Sequence, residues 1–232
     1  MTALEFNAID ALCHSLVVSC QAPDDSPLHN QQVIAAMAQA AINQGAAGIR
    51  IDTPAHVKAV RTQCPTAVII GLWKQQLPGS EVYITPQFYH AAAIASAGAD
   101  IIALDATWRE RFGGENVEEI IFRIHQELGK LVMADVDTIE NATAAVEAGA
   151  DLVATTLYGY TSCTKHLSPP GFDLLTQLRQ QLEVPIICEG GISSPQMAKD
   201  ALKLGAYAVV VGTAITGIDL QVRAYQKAIL DE

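Results

Sequence analysis

The segments SAGADIIALDAT (Ser96–Thr107) and EAGADLVATT (Glu147–Thr156) repeat one pattern: a Gly-Ala turn, an acidic residue, a short apolar run and a polar stop. Glycine at the end of a helix can take the left-handed conformation, and alanine then lets the chain turn tightly into a strand. The same step recurs as QGAA (Gln44–Ala47) and LGAY (Leu204–Tyr207). Around these four echoes the chain resolves into eight apolar runs: Leu16–Gln21, Gly48–Asp52, Ala67–Lys74, Asp100–Thr107, Leu131–Asp137, Asp151–Thr156, Pro185–Gly191 and Ala208–Thr213. Alanine-rich, helix-length stretches separate them. The segment Gln31–Asn43, for example, sets Val33, Ile34, Met37, Ala40 and Ala41 on one helical stripe. Thr53 or Asp52 followed by Pro54 reads as a helix start. Eight strand–helix units predict an α/β fold of the (β/α)8 TIM-barrel type, with all strands parallel.

The chain has 232 residues, close to the roughly 250 of a compact barrel, so residues 1–232 are expected to form a single domain. A short leading helix is expected at about residues 3–14, and Asp219–Asp231 reads as the eighth outer helix. Two longer connections stand out. Gly159–Phe172 follows the sixth strand as a candidate lid, and Trp108–Asn116 follows the fourth.

Half the residues are hydrophobic and the net charge is −11, with no Lys/Arg run. That argues against a nucleic-acid partner. No run is long enough to span a bilayer, and no signal peptide is expected, so no membrane partner is predicted. Five cysteines (Cys13, Cys20, Cys64, Cys163, Cys188) without a CxxC pair suit a reducing, cytoplasmic location. The six histidines show no ligand spacing, and no metal is called for.

In this fold the downstream strand ends carry the chemistry. They nominate Gln21, Arg50, Lys74, Asp105, Asp135, Thr155, Thr156 and Glu189. Lys74 closes the apolar run AVIIGLWK, and Glu189 follows Pro185-Ile-Ile-Cys. A charge after an apolar strand needs a partner or a task. Lys74 and Glu189 are expected to face each other across the barrel mouth, with the amine a candidate base. Arg50, Asp105 and Asp135 hold equivalent places on their strands and predict a polar ring. Gly190 and Gly191 after strand seven, and Gly212 and Thr213 after strand eight, are small enough for backbone N–H groups to hold a phosphate. The chain has no GxxxxGK[ST] and is not a P-loop protein.

Several stretches resemble the N-acetylmannosamine-6-phosphate 2-epimerase family: SCQAPDDSPL (Ser19–Leu28), GIRI (Gly48–Ile51), VYITP (Val82–Pro86), ADIIALDATWRER (Ala99–Arg111), MADVDT (Met133–Thr138), ATTLYGYT (Ala154–Thr161), EGGI (Glu189–Ile192) and VVVGTAIT (Val209–Thr216). The resemblance spans about Leu16 to Thr216. It implies a barrel that interconverts N-acetylmannosamine 6-phosphate and N-acetylglucosamine 6-phosphate in amino-sugar and sialic-acid use. It implies no cofactor, a homodimer, Lys74 and Glu189 as catalytic residues, and Gln21, Arg50 and Asp135 as substrate contacts.

The chain departs from the family pattern in three places. Gly191 stands where the family usually has a basic or larger residue. Gly217-Ile218 replaces an Arg-Pro whose arginine contributes to phosphate binding. RERFGG replaces a more usual arginine-proline pair. Arg109, Arg111, Lys165 or backbone N–H groups are the candidates to substitute at the phosphate. Competing readings are a ribulose-phosphate epimerase-like or indole-glycerol-phosphate synthase-like barrel, whose motifs are missing, and a non-catalytic sugar-phosphate sensor, which needs no base.

Overall fold

In the computed structural model, which describes residues 7–230, each apolar run forms a strand. The strands are β1 Ser15–Cys20, β2 Gly48–Asp52, β3 Val68–Leu72, β4 Ile101–Asp105, β5 Leu131–Asp135, β6 Leu152–Ala154, β7 Ile186–Glu189 and β8 Ala208–Val211. They pair in parallel in chain order, and β8 returns to β1 to close the barrel. The helices between them are α2 Gln31–Asn43, α3 Pro54–Gln63, α4 Phe88–Ala97, α5 Val117–Arg123, α6 Ile139–Glu147, α7 Phe172–Gln181 and α8 Pro195–Lys203. Thr53 caps α3 through its side chain, with Pro54 in the first turn.

Side chains alternate across a strand, so every second residue faces the barrel axis. Val17, Val68, Ile70, Ile101, Ala103, Met133, Leu152, Ile187, Ala208 and Val210 fill the interior. Leu12, fully buried below them, packs into the same cluster. The intervening residues Val18, Ile49, Ile69, Ile102, Leu104, Val132, Ala134, Val153, Cys188 and Val209 point outward into a continuous shell beneath the helices. Gly71 marks how closely that shell is packed: a Cβ there would lie 2.5 Å from Ile94 Cγ2.

Three expectations shift. The leading helix is a single turn, α1 Ala8–Ala11, and residues 3–6 of the expected span lie outside the described residues. The sixth strand stops at Ala154, because Thr155–Leu157 turn into a 3-10 segment that aims them across the mouth. The last helix is split into α9 Thr213–Thr216 and α10 Ile218–Leu230, and no residue of α10 is buried. It does not cover the barrel as an eighth outer helix would. Among the described residues, no helix is long and apolar enough to cross a membrane.

Candidate active site

The alternation that fills the barrel also builds the site. Two residues beyond the interior positions Val17, Gly48, Ala103, Met133 and Ile187 come Ser19, Arg50, Asp105, Asp135 and Glu189. They form a polar layer on top of the apolar ones. Ser19 pairs in register with Arg50, and Asp105 with Asp135.

Arg50 is the hub. It is 1% exposed and donates to Asp135 through both terminal nitrogens, at 3.1 and 2.6 Å. Its Nη1 also lies 2.8 Å from Glu189 Oε2. Burial alone would lower the guanidinium pKa, but Asp135 and Glu189 hold it above its ordinary range. Thr156 Oγ1 bridges the two acids, donating to Asp135 at 2.7 Å with Glu189 Oε2 at 3.2 Å. Thr155 fixes the strand end: its hydroxyl accepts from Glu189 N at 3.1 Å and donates to Glu189 O at 2.9 Å. The Glu189 carboxyl is pushed up to about 7, first by burial and then by Asp135, against the pull of Arg50. A carboxyl poised there exchanges a proton readily near neutral pH.

Lys74 sits just beyond β3, in an antiparallel bridge with Ile84. The expected pair with Glu189 does not form. Lys74 Nζ instead donates to Gln21 Oε1 and stands 3.8 Å from Asp52 Oδ2. Glu189 is taken by Arg50, which reaches it across the barrel mouth at 2.8 Å. Lys74 and Glu189 nevertheless line one cavity of about 470 Å³ at the downstream mouth. Gln21, Arg50 and Thr156 line it too, as do Gly190, Gly191, Gly212 and Thr213.

The other nominated residues lie outside the cavity lining. Asp135 is fully buried beneath it and acts on Arg50. Asp105 belongs to a separate buried cluster. It accepts from Thr107 at 2.7 Å and Arg109 at 2.5 Å, while its main-chain carbonyl accepts from Arg111. Burial raises its pKa in spite of both arginines. Arg109 and Arg111 are therefore committed to Asp105, and neither they nor the exposed Lys165 reach the cavity. The cysteines are free, and burial pushes Cys20 up to about 12 and Cys188 up to about 11, as unreactive core thiols.

Further polar residues of the lining were not nominated from the sequence, among them Ser19, Tyr83, Tyr160, Ser193 and Gln221. Ser19 was legible, since it is two residues before Gln21 on an alternating strand. Tyr83 arrives on an irregular segment after β3, and Tyr160 on the loop after β6, where no periodicity points a side chain inward. Burial and the neighbouring Asp135 and Asp105 carboxylates raise the Tyr83 phenol above its usual pKa.

Gly190 and Gly191 take φ of +99° and +70°. A Cβ on Gly191 would lie 2.5 Å from Pro169 Cβ. The loop after β6 packs directly on this glycine, which is why no larger residue stands there. At Gly217 a Cβ would be 2.8 Å from Thr213 Cα.

A closed parallel barrel with an amine and a near-neutral carboxyl converging on one polar cavity defines the class: a (β/α)8 enzyme equipped for acid–base chemistry on a small polar molecule. Comparison with known proteins narrows this. The model of the family described as "NanE: Putative N-acetylmannosamine-6-phosphate epimerase" matches residues 34–231. Proteins named "Putative N-acetylmannosamine-6-phosphate 2-epimerase" are 62% identical over 215 residues in Synechococcus elongatus, covering 92% of this chain and 93% of that one. In Thermosynechococcus vestitus the identity is 62% over 214 residues, covering 92% of each. The solved N-acetylmannosamine-6-phosphate 2-epimerase from Clostridium perfringens superposes with a TM-score of 0.93 at 37% identity, over 98% of this chain and 99% of that one. The chain belongs to the N-acetylmannosamine-6-phosphate epimerase family, a family of isomerases.

Proposed function

We propose that this chain inverts C2 of N-acetylmannosamine 6-phosphate to give N-acetylglucosamine 6-phosphate, without a cofactor, by removing and returning a proton through an enolate. The observation that carries this is the convergence of Lys74 and Glu189, from β3 and β7, on one cavity. The reaction needs a base at C2 of the ring-opened sugar and a way to stabilise negative charge developing on the C1 oxygen. Lys74 in its amine form takes the C2 proton. Arg50 supplies fixed positive charge beneath the reacting atoms, held by Asp135. Glu189, with its carboxyl near neutrality, is the proton-exchanging group on the facing wall. Gln21 orients the Lys74 amine.

The phosphate fits the rim after β7 and β8. There Gly190, Gly191, Gly212 and Thr213 line the cavity, with Ser193 and Gln221 beside them. With Arg109, Arg111 and Lys165 out of reach, the phosphate is held by neutral donors.

The test is proton exchange at C2 in deuterated water, followed by NMR with N-acetylmannosamine 6-phosphate. Wild type incorporates deuterium and Lys74→Ala loses 10²-fold or more, the usual scale for a positioned acid–base group. Near-normal turnover in Lys74→Ala refutes the assignment. Comparing substrate with and without the 6-phosphate tests the rim. A non-catalytic sensor would bind the sugar without exchange.

A homodimer is part of this reading. Ile215, Ile218, Val222, Tyr225 and Ile229 recur at three- and four-residue spacing and are 52, 54, 54, 70 and 71% exposed. Within α10, Ile218, Val222, Tyr225 and Ile229 form one exposed apolar stripe, with Ile215 of α9 exposed just before it, and a second copy is the occupant that suits it. Replacing Tyr225 and Ile229 with glutamate is expected to give a monomer by light scattering. The free thiols and the phosphorylated substrate suit a cytoplasmic setting.

A further inference from the structure

Lys74 and Gln21 stand on a wall shared by two cavities. On one side is the substrate cavity with Glu189 and Arg50. On the other is an adjoining cavity of about 670 Å³, lined by Asp24, His29, Asp52 and Asp219 and by the same Lys74 and Gln21. Asp52 belongs to the second cavity alone. It therefore approaches the lysine from behind, away from the substrate.

Its contacts with Lys74 are double. Asp52 Oδ1 accepts from Lys74 N at 2.9 Å, and Oδ2 lies 3.8 Å from Nζ. Among the described residues, Asp52 is the one carboxylate within ion-pair distance of that amine. Lys74 lies beyond the last paired residue of β3: Asp52 is in register with Leu72, and the ladder between β2 and β3 ends there. Past that point the lysine main chain needs another partner, and the Asp52 side chain supplies one. The carboxylate is itself well placed. It is 17% exposed, at the end of β2, and the next residue, Thr53, donates its N–H to Leu72 O at 2.9 Å.

We propose that Asp52 is a positioning residue for Lys74, fixing the lysine main chain at the barrel mouth and holding the amine from the side opposite the substrate. The inference rests on Lys74 acting as the base. Asp52 thus gives the amine a fixed direction of attack. The other titratable groups around Lys74 are Glu189, Arg50 and Tyr83 on the substrate side. Asp24, His29 and Asp219 face it from the adjoining cavity, and His56 packs behind Asp52.

Two variants separate the two contacts. Asp52→Asn keeps an oxygen that can accept from Lys74 N but removes the charge. Its kcat is expected to fall roughly threefold with KM within twofold of wild type, because the ion pair that steadies the amine is lost while the main-chain contact stays. Asp52→Ala also removes the acceptor. Its kcat is expected to fall about tenfold with KM again little changed, because a misdirected base loses rate rather than binding. Circular dichroism confirms that each variant is folded; should Asp52→Ala not fold, the kcat of Asp52→Asn decides alone. A kcat of Asp52→Asn equal to wild type, or an effect confined to KM, overturns the proposal. Lys74→Ala run in parallel keeps the two questions apart. If it is inactive while Asp52→Asn is indistinguishable from wild type, only the Asp52 role falls. If Lys74→Ala remains active, the assignment of the base falls with it.

Discussion

Replacing Arg50 with methionine tests what holds the polar layer together. Arg50 is 1% exposed and is the cation to which both Asp135, fully buried, and Glu189, with 12% of its side chain exposed, are bound. The substitution leaves two acids facing each other without that charge. Removing one partner of a buried ion pair typically costs about 3 to 5 kcal/mol, since the remaining charge has lost both water and partner. For a domain of this size, each kcal/mol lowers the melting temperature by about 2 to 4 °C. Arg50→Met is therefore expected to melt about 6 to 20 °C lower, with urea denaturation giving the matching loss.

The deficit should depend on pH with a defined sign. In the intact protein the Glu189 pKa is already raised from 4.5 to about 7. Such a group favours the folded state below about 4.5, and that contribution is lost as pH rises through about 7. Without Arg50 the Glu189 carboxyl is pushed further up, because the cation that lowers it is gone. The loss should be largest at pH 8 and shrink towards pH 5 as protons replace the missing cation. Arg50→Met combined with Asp135→Asn removes both charges and should recover half or more of the stability. A single variant within 1 kcal/mol of wild type at pH 8, or a double variant as unstable as the sum of the singles, refutes the hub.

Other expectations follow from the same geometry. Glu189→Gln should lower kcat/KM by roughly 10² and flatten whatever part of the pH–rate profile titrates near 7, read by the same NMR assay; a profile unchanged in shape would remove Glu189 from proton transfer. Gly191→Ala meets Pro169 at 2.5 Å with φ of +70°, so it should cost about 1 to 3 kcal/mol in urea unfolding and raise KM for the phosphorylated sugar. Removal of Ile218–Leu230 should leave the barrel strands folded by circular dichroism, since no residue of that helix is buried, but abolish self-association in sedimentation.

The repeat of apolar runs and Gly-Ala turns was enough to predict eight parallel strands, because a parallel barrel is written locally: each βα unit carries its own period and its own stop. The alternation within each run also placed Gln21, Arg50, Lys74 and Glu189 at the downstream mouth, where all four line the cavity. What the chain could not announce is partnership. Arg50, on β2, reaches both Asp135 on β5 and Glu189 on β7, so Glu189 answers to an arginine 139 residues away rather than to Lys74. Asp105, in register with Asp135, is drawn instead into a cluster with Arg109 and Arg111, a local loop contact that removes it from the cavity. Linear order thus determined which residues reach the mouth of the barrel. Closure of the sheet decided which of them touch, because ion pairing depends on separation across the ring and on burial, and neither is encoded along a single strand.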